Sequence, residues 1–596
     1  VQGLKGIDNM SGIFGYVGTQ PCKDILIKGI SSLKKRGADA TGMVFKNQNT
    51  FDLISVNGNA SELKQASSKT KCDFTTGIAQ SSKFTRIKAS EEAANPVYNN
   101  LFAVAMDGSF ENFNELKRWS NNPFEIVSDE DLMLALLCVA NKSDKIELIK
   151  TLDSMLLGDI SYAFIANDEN AIYCKSLGKP LFIGIGSDGF YVSSELISLV
   201  NTAEKYIFIN EGEIAKLTKE RVIIFDTKGK KIKKTATAVP EQSCFENDYA
   251  IKDEIFYCPL TVKETYKQFI KKSKINLDYL KLNRHAVDKI SQIIITGAGC
   301  SYNVASISAY NFSMMCDIPT YAYPSGELRY SGCIINKNTL LIAVSHRGES
   351  DDTIACVKRF KNFGAKVIAV TSNELSYLAR LSDEVVNPNC DFESNDVSLR
   401  CFISTYLAMS FLSLYIGNKN GVVTELYLNV TIKMAELLSG KVSSAIKPSP
   451  LFEKVAYAIA DSDNVFVTGL GADYSLSLEG ADKLRSIAKV NASSFCTSEL
   501  VEKCYSILNG SLVLALLTNK DLLQQSLYNL RRAKSLGANV IIITTQNIEE
   551  EVSDFENIIS FNDSIPLFNV LPCIAGIYKI AIITDEIKNK PDIEIA

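Results

Sequence analysis

Residues Thr339 to Arg359 read TLLIAVSHRGESDDTIACVKR. The stretch opens on an uninterrupted apolar run, Leu340-Leu341-Ile342-Ala343-Val344, short and flanked by turn residues, which is the pattern of a strand covered on both faces of a parallel sheet. Ser345-His346-Arg347-Gly348-Glu349-Ser350 follows as a loop of hydroxyls and glycine, and it runs into Asp351-Asp352-Thr353 and an amphipathic segment. The loop therefore ends on a helix N-terminus, whose unpaired N–H groups favour an anion the size of a phosphate. A plain strand-to-helix turn capped by Ser or Asp fits these residues equally well.

An internal duplication favours the first reading. Thr296-Gly297-Ala298-Gly299 ends one apolar strand, Ile293-Ile294-Ile295, and Thr468-Gly469-Leu470-Gly471 ends another, Val465-Phe466-Val467, at an offset of 172 residues. Thr339-Leu340-Leu341-Ile342-Ala343 maps on Ser511-Leu512-Val513-Leu514-Ala515 at the same offset. Phe363-Gly364-Ala365-Lys366-Val367-Ile368 maps on Leu536-Gly537-Ala538-Asn539-Val540-Ile541 one residue later. Three matched strands at constant spacing predict two copies of one doubly wound α/β domain between about residues 285 and 585. Ligands of such sheets sit beyond the strand C-termini. The Ser345 loop lies there, whereas its counterpart, Leu517-Thr518-Asn519-Lys520, lacks the glycine and most of the hydroxyls, so only the first copy is expected to hold phosphate.

A chain of 596 residues is too long for one core and predicts three or four domains. With 46% hydrophobic and 22% charged residues it has the make-up of a soluble globular protein. A net charge of −5 and the absence of a basic cluster interleaved with aromatics give no reason to expect nucleic acid. Fifteen cysteines without a CxxC pair, and only two histidines, offer no metal-site pattern. They read as reduced, mostly buried thiols of a cytoplasmic protein. The longest apolar run, Cys401 to Ile416, contains Ser404, Thr405, Ser410 and Ser413 and is shorter than a bilayer span, which predicts a buried core helix and no membrane association. Residues 1–9 read as a leader or an appended segment, because the first structured pattern starts after Met10.

That pattern is MSGIFGYVG, residues 10–18, followed by a helix from Cys22 to Lys35 and by Lys35-Arg36-Gly37-Ala38-Asp39-Ala40-Thr41-Gly42. It resembles the opening of the glutamine–fructose-6-phosphate aminotransferase (glucosamine-6-phosphate synthase) family, Cys-Gly-Ile-x-Gly-Tyr-x-Gly and then Tyr-Arg-Gly-Tyr-Asp-Ser-Ala-Gly. Thr75-Thr76-Gly77-Ile78-Ala79, Asp107-Gly108-Ser109-Phe110-Glu111-Asn112, Ser128-Asp129-Glu130-Asp131, Gly184-Ile185-Gly186 and Ser193-Ser194-Glu195 continue the likeness. The duplicated half resembles the family's two sugar isomerase (SIS) domains, and the domain order is intact from Met10 to the C-terminus.

The resemblance implies an α+β N-terminal-nucleophile glutaminase-type sandwich (10–238, a class II glutamine amidotransferase domain), a linker (239–284), a first SIS domain (285–430), a second (431–585) and a tail (586–596). In the family a cysteine thiolate attacks the glutamine amide with its own α-amino group as base. Here Ser11 stands at that place, behind a peptide nitrogen unless residues 1–10 are removed. The family arginine that holds the glutamine carboxylate corresponds to Ser82, with Lys83 or Arg86 as possible substitutes. Its Asn-Gly oxyanion pair becomes Asp107-Gly108, a carboxylate where a donor would contribute about 3 kcal/mol. Asp129 remains at the position that binds the glutamine amine. In the linker, Asp248 replaces a histidine that connects the two active sites in the family; drift in a solvated helix explains the change nearly as well.

In the first SIS copy, Ala298-Gly299-Cys300-Ser301-Tyr302-Asn303 resembles Cys-Gly-Thr-Ser-Tyr-Asn, and the Ser345 loop resembles Ser-Gln-Ser-Gly-Glu-Thr. Ser301, Ser345 and Ser350 thus keep the hydroxyls that bind sugar phosphate in the family. Arg347 replaces a phosphate-binding serine and strengthens the site if turned inward. His346 could donate to a sugar oxygen, although a lone loop histidine is more often solvated or packed. Asp396 to Phe402 departs from the family's sugar-facing loop. In the second copy, Glu479, Lys483 and Ser486 follow the i, i+4, i+7 spacing of one helix face. Ser486 stands where the family has its proton-moving glutamate, so isomerisation is expected to fail unless Glu479 takes over. Ser498 to Cys504 lacks the family's ring-opening histidine. Lys590 falls within one residue of the family's Schiff-base lysine, and Lys588 is also near.

These residues predict a relative that binds a hexose 6-phosphate, such as fructose or glucosamine 6-phosphate, with glutaminase and isomerase chemistry lost or strongly impaired. A sensor or a regulator pairing with an active paralogue fits this pattern. The alternatives are an ammonia-dependent aminotransferase or isomerase using Glu479, Lys483 and Lys590, and a scaffold without ligand. No cofactor or metal is expected, and the family implies a homodimer.

Overall fold

The computed structural model describes residues 11–33, 39–82, 96–120, 126–200, 202–239, 246–247, 250–393 and 397–589. The chain divides into two compact units, Val1–Ser243 and Cys244–Ala596.

In the N-terminal unit, period-two strands build two antiparallel sheets. One runs in the order Thr237–Ala238, Lys205–Ile209, Leu181–Ile185, Gly189–Ser193, Gly12–Gly18, Thr76–Ser82, Ala40–Asn47 and Thr50–Val56. The other runs Lys231–Ile232, Val222–Phe225, Ile214–Thr218, Ala171–Leu177, Ile160–Ala166, Phe102–Gly108 and Val97–Tyr98. Ile13, Val17 and Ile78 of the first sheet meet Ala105, Ile165 and Ile172 of the second in one buried layer. The opposite face of the second sheet packs Phe102, Val104 and Phe164 against Leu116, Leu136 and Leu148 of three helices, Phe113–Ser120, Asp129–Val139 and Lys145–Asp153. Helix Cys22–Ser31 covers the first sheet. This helix–sheet–sheet–helix layering fits the sandwich expected.

The C-terminal unit holds two five-stranded sheets in which every pairing is parallel. The first runs Thr320–Pro324, Gln292–Gly297, Thr339–Val344, Lys366–Val370, Glu384–Val386; the second runs Ala492–Cys496, Val465–Gly469, Leu512–Leu517, Asn539–Thr545, Asn557–Phe561. The order is the same, and so is the register: Ile293 pairs with Leu340 as Val465 pairs with Leu512, and Thr296 with Ala343 as Thr468 with Ala515. Each sheet reverses winding between its first strand and the strand that follows the crossover, and the Ser301 and Ser345 turns flank that switch point in the first copy.

Helices Leu399–Asn420 and Pro566–Lys588 are both long and apolar enough to cross a bilayer by composition, yet 100% and 89% of their most apolar windows are buried inside the protein. The first contains the run Cys401 to Ile416 and is the core helix its serines predict. The second was not singled out by the sequence pattern, although it is the more apolar of the two. Together with Ile251–Phe269 they lie in one apolar core that includes strands of both copies. The Tyr406 hydroxyl donates to the Leu567 carbonyl at 2.6 Å and joins the two helices.

Candidate functional site

The two turns of the first copy are fixed by backbone constraints. Gly299 has φ 54° and ψ −129°, a conformation that side chains oppose, and it turns the chain from strand Gln292–Gly297 into helix Cys300–Cys316. Ser301 sits in the first turn of that helix. Ser345 is buried at the end of the next strand, and its amide donates to the Val370 carbonyl at 3.1 Å. Gly348, at φ 70°, closes a turn onto the Ser345 carbonyl at 3.0 Å; a Cβ there would lie 2.0 Å from the Ser376 hydroxyl. Ser350 caps helix Asp351–Asn362, with Thr353 Oγ1 donating to its Oγ at 3.0 Å. The capping reading of this loop is realised, since Ser350 caps Asp351–Asn362, and Ser301 and Ser345 follow the C-terminal ends of two neighbouring strands, Gln292–Gly297 and Thr339–Val344.

The neighbours of these hydroxyls are tied down. The His346 carbonyl accepts from the Ser372 amide at 2.9 Å and the Thr371 hydroxyl at 3.0 Å, and its side chain is half-buried. Arg347 directs Nη2 to the Glu393 carbonyl at 3.1 Å. Glu393 in turn uses its buried carboxylate to accept from the Arg400 amide at 2.7 Å and the Cys401 amide at 3.4 Å. It thereby satisfies the start of helix Leu399–Asn420, where Ser398, at φ 59°, makes no side-chain cap. Arg347 thus latches the loop to the segment that departs from the family pattern. Residue spacing gave no hint of Glu393.

Glu479 and Lys483 stand one helical turn apart on Ala472–Ser486 and form a pair at 3.1 Å, with side chains 0% and 2% exposed. Glu479 also accepts from Asn303 Nδ2 at 2.7 Å, Tyr578 Oη at 2.9 Å and the Cys300 thiol at 3.7 Å. Lys483 reaches Asp482 at 3.2 Å. Burial, the largest single effect, would lower the Lys483 ammonium, and Glu479 together with its other acidic neighbours, Asp482 among them, outweighs it, so it stays protonated. The cluster joins helices of the first copy, the second copy and Pro566–Lys588. Ser486, expected on the same face, is exposed at the helix end. Lys588 is exposed and donates to the Lys489 carbonyl at 2.9 Å, and Lys590 lies outside the described residues.

In the N-terminal unit Ser11 is buried and its peptide amide donates to Asp107 Oδ1 at 3.2 Å, while its hydroxyl has no partner among the described residues. Asp107 and Gly108 end strand Phe102–Gly108. Asp129, in the first turn of its helix, accepts from the Phe110 amide at 2.9 Å. Two buried residues that the sequence reading passed over complete the region. Gln80 donates to Glu130 Oε1 at 2.7 Å and to Ser82 Oγ at 3.0 Å, and accepts from the Met106 amide at 2.9 Å. Burial, aided by the Asp129 charge, pushes Glu130 up to about 7. Asp107 is the carboxyl that meets Ser11. Lys83, Arg86 and Asp248 lie outside the described residues.

A model of the SIS domain matches residues 287–416 and 458–563. The chain is 25% identical over 560 residues to the isomerising glutamine–fructose-6-phosphate aminotransferase of Clostridium tetani, covering 91% of this chain and 92% of that protein. It is 26% identical over 591 residues to the protein of the same name from Caldanaerobacter subterraneus, covering 96% and 97%. The solved C-terminal domain of glucosamine-fructose-6-phosphate aminotransferase from Francisella tularensis has the same fold as 57% of the chain, with 97% of that domain covered, 21% identity and a TM-score of 0.53. The strand register, the duplicated turns and these likenesses agree: the chain is similar over most of its length to isomerising glutamine–fructose-6-phosphate aminotransferases and carries two SIS domains in its C-terminal half.

Proposed function

We propose that the protein binds a hexose 6-phosphate in its first SIS domain and has lost the glutaminase and isomerase chemistry of its relatives. The observation that carries this reading is the placement of Ser301, Ser345 and Ser350 at adjacent strand ends of a doubly wound sheet, beside helix N-termini that favour an anion.

The loss of chemistry is supported by the groups around each reaction centre. With residues 1–10 attached, the Ser11 nitrogen is a peptide amide that donates to Asp107, so it cannot act as the base of an N-terminal nucleophile. A carboxylate at Asp107 opposes an oxyanion forming nearby. Glu479, the remaining acid on the helix face of the second copy, accepts four hydrogen bonds or ionic contacts in the core. It is therefore spent on structure. Such a chain would act as a sugar-phosphate sensor or as a partner of an active paralogue, and the family's homodimer is the assembly in which to test it.

A thermal-shift and calorimetric screen of fructose 6-phosphate and glucosamine 6-phosphate, with glutamine as control, tests the proposal. Stabilisation by a hexose 6-phosphate and none by glutamine is expected. Steady glutamate release coupled to amino-sugar formation, or a borohydride-trapped fructose 6-phosphate adduct on Lys590, would reject it.

A further inference from the structure

The two SIS copies superimpose residue for residue at the turn that matters. Gly471 has φ 61° and ψ −126°, matching Gly299 at 54° and −129°. The Thr468 hydroxyl donates to the Phe495 carbonyl at 2.8 Å as the Thr296 hydroxyl donates to the Tyr323 carbonyl at 2.9 Å. With the offset of 172 carried through this register, Asp473 occupies the place of Ser301, and Leu517, Thr518 and Asn519 occupy the places of Ser345, His346 and Arg347.

The pair at these places in the second copy is already complete. Asp473 is 4% exposed, and its carboxylate accepts from the Thr518 amide at 2.8 Å and from the Thr518 hydroxyl at 2.6 Å. The Asn519 amide faces it as well. A carboxylate held by consecutive backbone N–H groups and a hydroxyl, beyond the end of a parallel strand and in the first turn of a helix, is bound as an anionic ligand would be. The Thr518 carbonyl is held in turn by Asn569 Nδ2 at 3.4 Å, from helix Pro566–Lys588.

We infer that Asp473 is a built-in anion that fills the second copy's phosphate position and closes it, so that each chain takes one phosphorylated ligand instead of two. The inference rests on the proposal that the first copy binds hexose phosphate, and it assigns the choice between the copies to one residue. Loss of the loop glycine and serines is then not the whole cause of the second copy's silence: the donors remain and are occupied. Removing the carboxylate frees the Thr518 amide and hydroxyl, and Asp473→Ser reproduces the residue that the first copy has. Asp473→Asn keeps the position filled by a neutral group that still accepts from Thr518.

Equilibrium dialysis and calorimetry of the full chain with fructose 6-phosphate count the sites. One site per chain is expected for the natural sequence and for Asp473→Asn, and two for Asp473→Ser. Asp473→Ala is read in the same way if the serine variant does not fold. Two sites in the natural sequence, or an unchanged count in a folded variant without the carboxylate, overturns the inference. No site in the natural sequence but one in Asp473→Ser refutes the proposed function of the first copy and upholds the role of Asp473. No site in either refutes both.

Discussion

Replacing Lys483 with methionine keeps the helix and most of the side-chain volume but removes the cation from the cluster that joins the two SIS copies. Glu479 would retain Asn303 at 2.7 Å, Tyr578 at 2.9 Å and the Cys300 thiol at 3.7 Å, none of them charged. Breaking one side of a buried ion pair typically costs about 3–5 kcal/mol. The three remaining donors hold the carboxyl, so the lower end, about 3 kcal/mol, applies. For a unit the size of Cys244–Ala596, an unfolding entropy of about 2.1 cal/mol/K per residue makes this a drop of about 4 °C in its melting transition. The sign of the pH dependence follows from the same geometry. Without the cation, burial raises the folded-state pKa of Glu479 further above its unfolded value. The penalty is then absent below the unfolded pKa and grows as pH rises toward the folded one. Scanning calorimetry should therefore show a larger loss at pH 7.5 than at pH 5.0, and Glu479→Gln added to Lys483→Met should recover most of it. A variant that melts within 1 °C of the parent at pH 7.5 but no longer binds fructose 6-phosphate would refute the reasoning, because it would place Lys483 in the ligand site.

Glu130, pushed up to about 7 by burial beside Asp129, weakens the N-terminal unit as pH rises from its ordinary range through 7; Glu130→Gln should stabilise that unit at pH 8 by up to about 3 kcal/mol in urea titration and change little at pH 5. Ser345→Ala and Ser350→Ala should each weaken hexose 6-phosphate binding about tenfold by calorimetry, as expected for one hydrogen bond to a charged group. Ser350→Ala should also lower stability by about 1 kcal/mol in urea titration, because the helix loses its cap. With residues 1–10 attached, Ser11→Cys should release no glutamate from glutamine in a coupled assay, since a peptide amide donating to Asp107 leaves the thiol without its base.

The doubly wound half was legible because its information is local and given twice. Apolar strands repeat at 172 residues, the first pair ending on Thr-Gly-x-Gly turns, and the parallel register repeats with them. Ser301 and Ser345 could be placed at neighbouring strand ends for the same reason. The contacts that decide what the site does were not legible, because they join residues with no shared period. Asn303 meets Glu479 across 176 positions and Gln80 meets Glu130 across 50. Arg347 finds a backbone carbonyl at Glu393, an atom that no side-chain pattern marks. The i, i+4, i+7 spacing of Glu479, Lys483 and Ser486 was read correctly as one helix face, but periodicity does not say how deep each position lies: the first two are enclosed and Ser486 is at the surface. Thr518 makes a further such long-range contact: its loop lacks the glycine and most of the hydroxyls, yet its remaining hydroxyl donates to Asp473, 45 positions away.

Helices Leu399–Asn420 and Pro566–Lys588 share one core although the first belongs to the earlier copy and the second closes the chain. The earlier helix packs mainly on Cys300–Cys316 and Ile251–Phe269, both already made when it emerges, whereas Pro566–Lys588 covers Leu438–Ala445, Pro450–Ala460 and Ala472–Ser486. At about 5–20 residues added per second, those three helices wait several seconds for the last one. Truncation ahead of Pro566 should consequently leave their apolar faces open and yield aggregates.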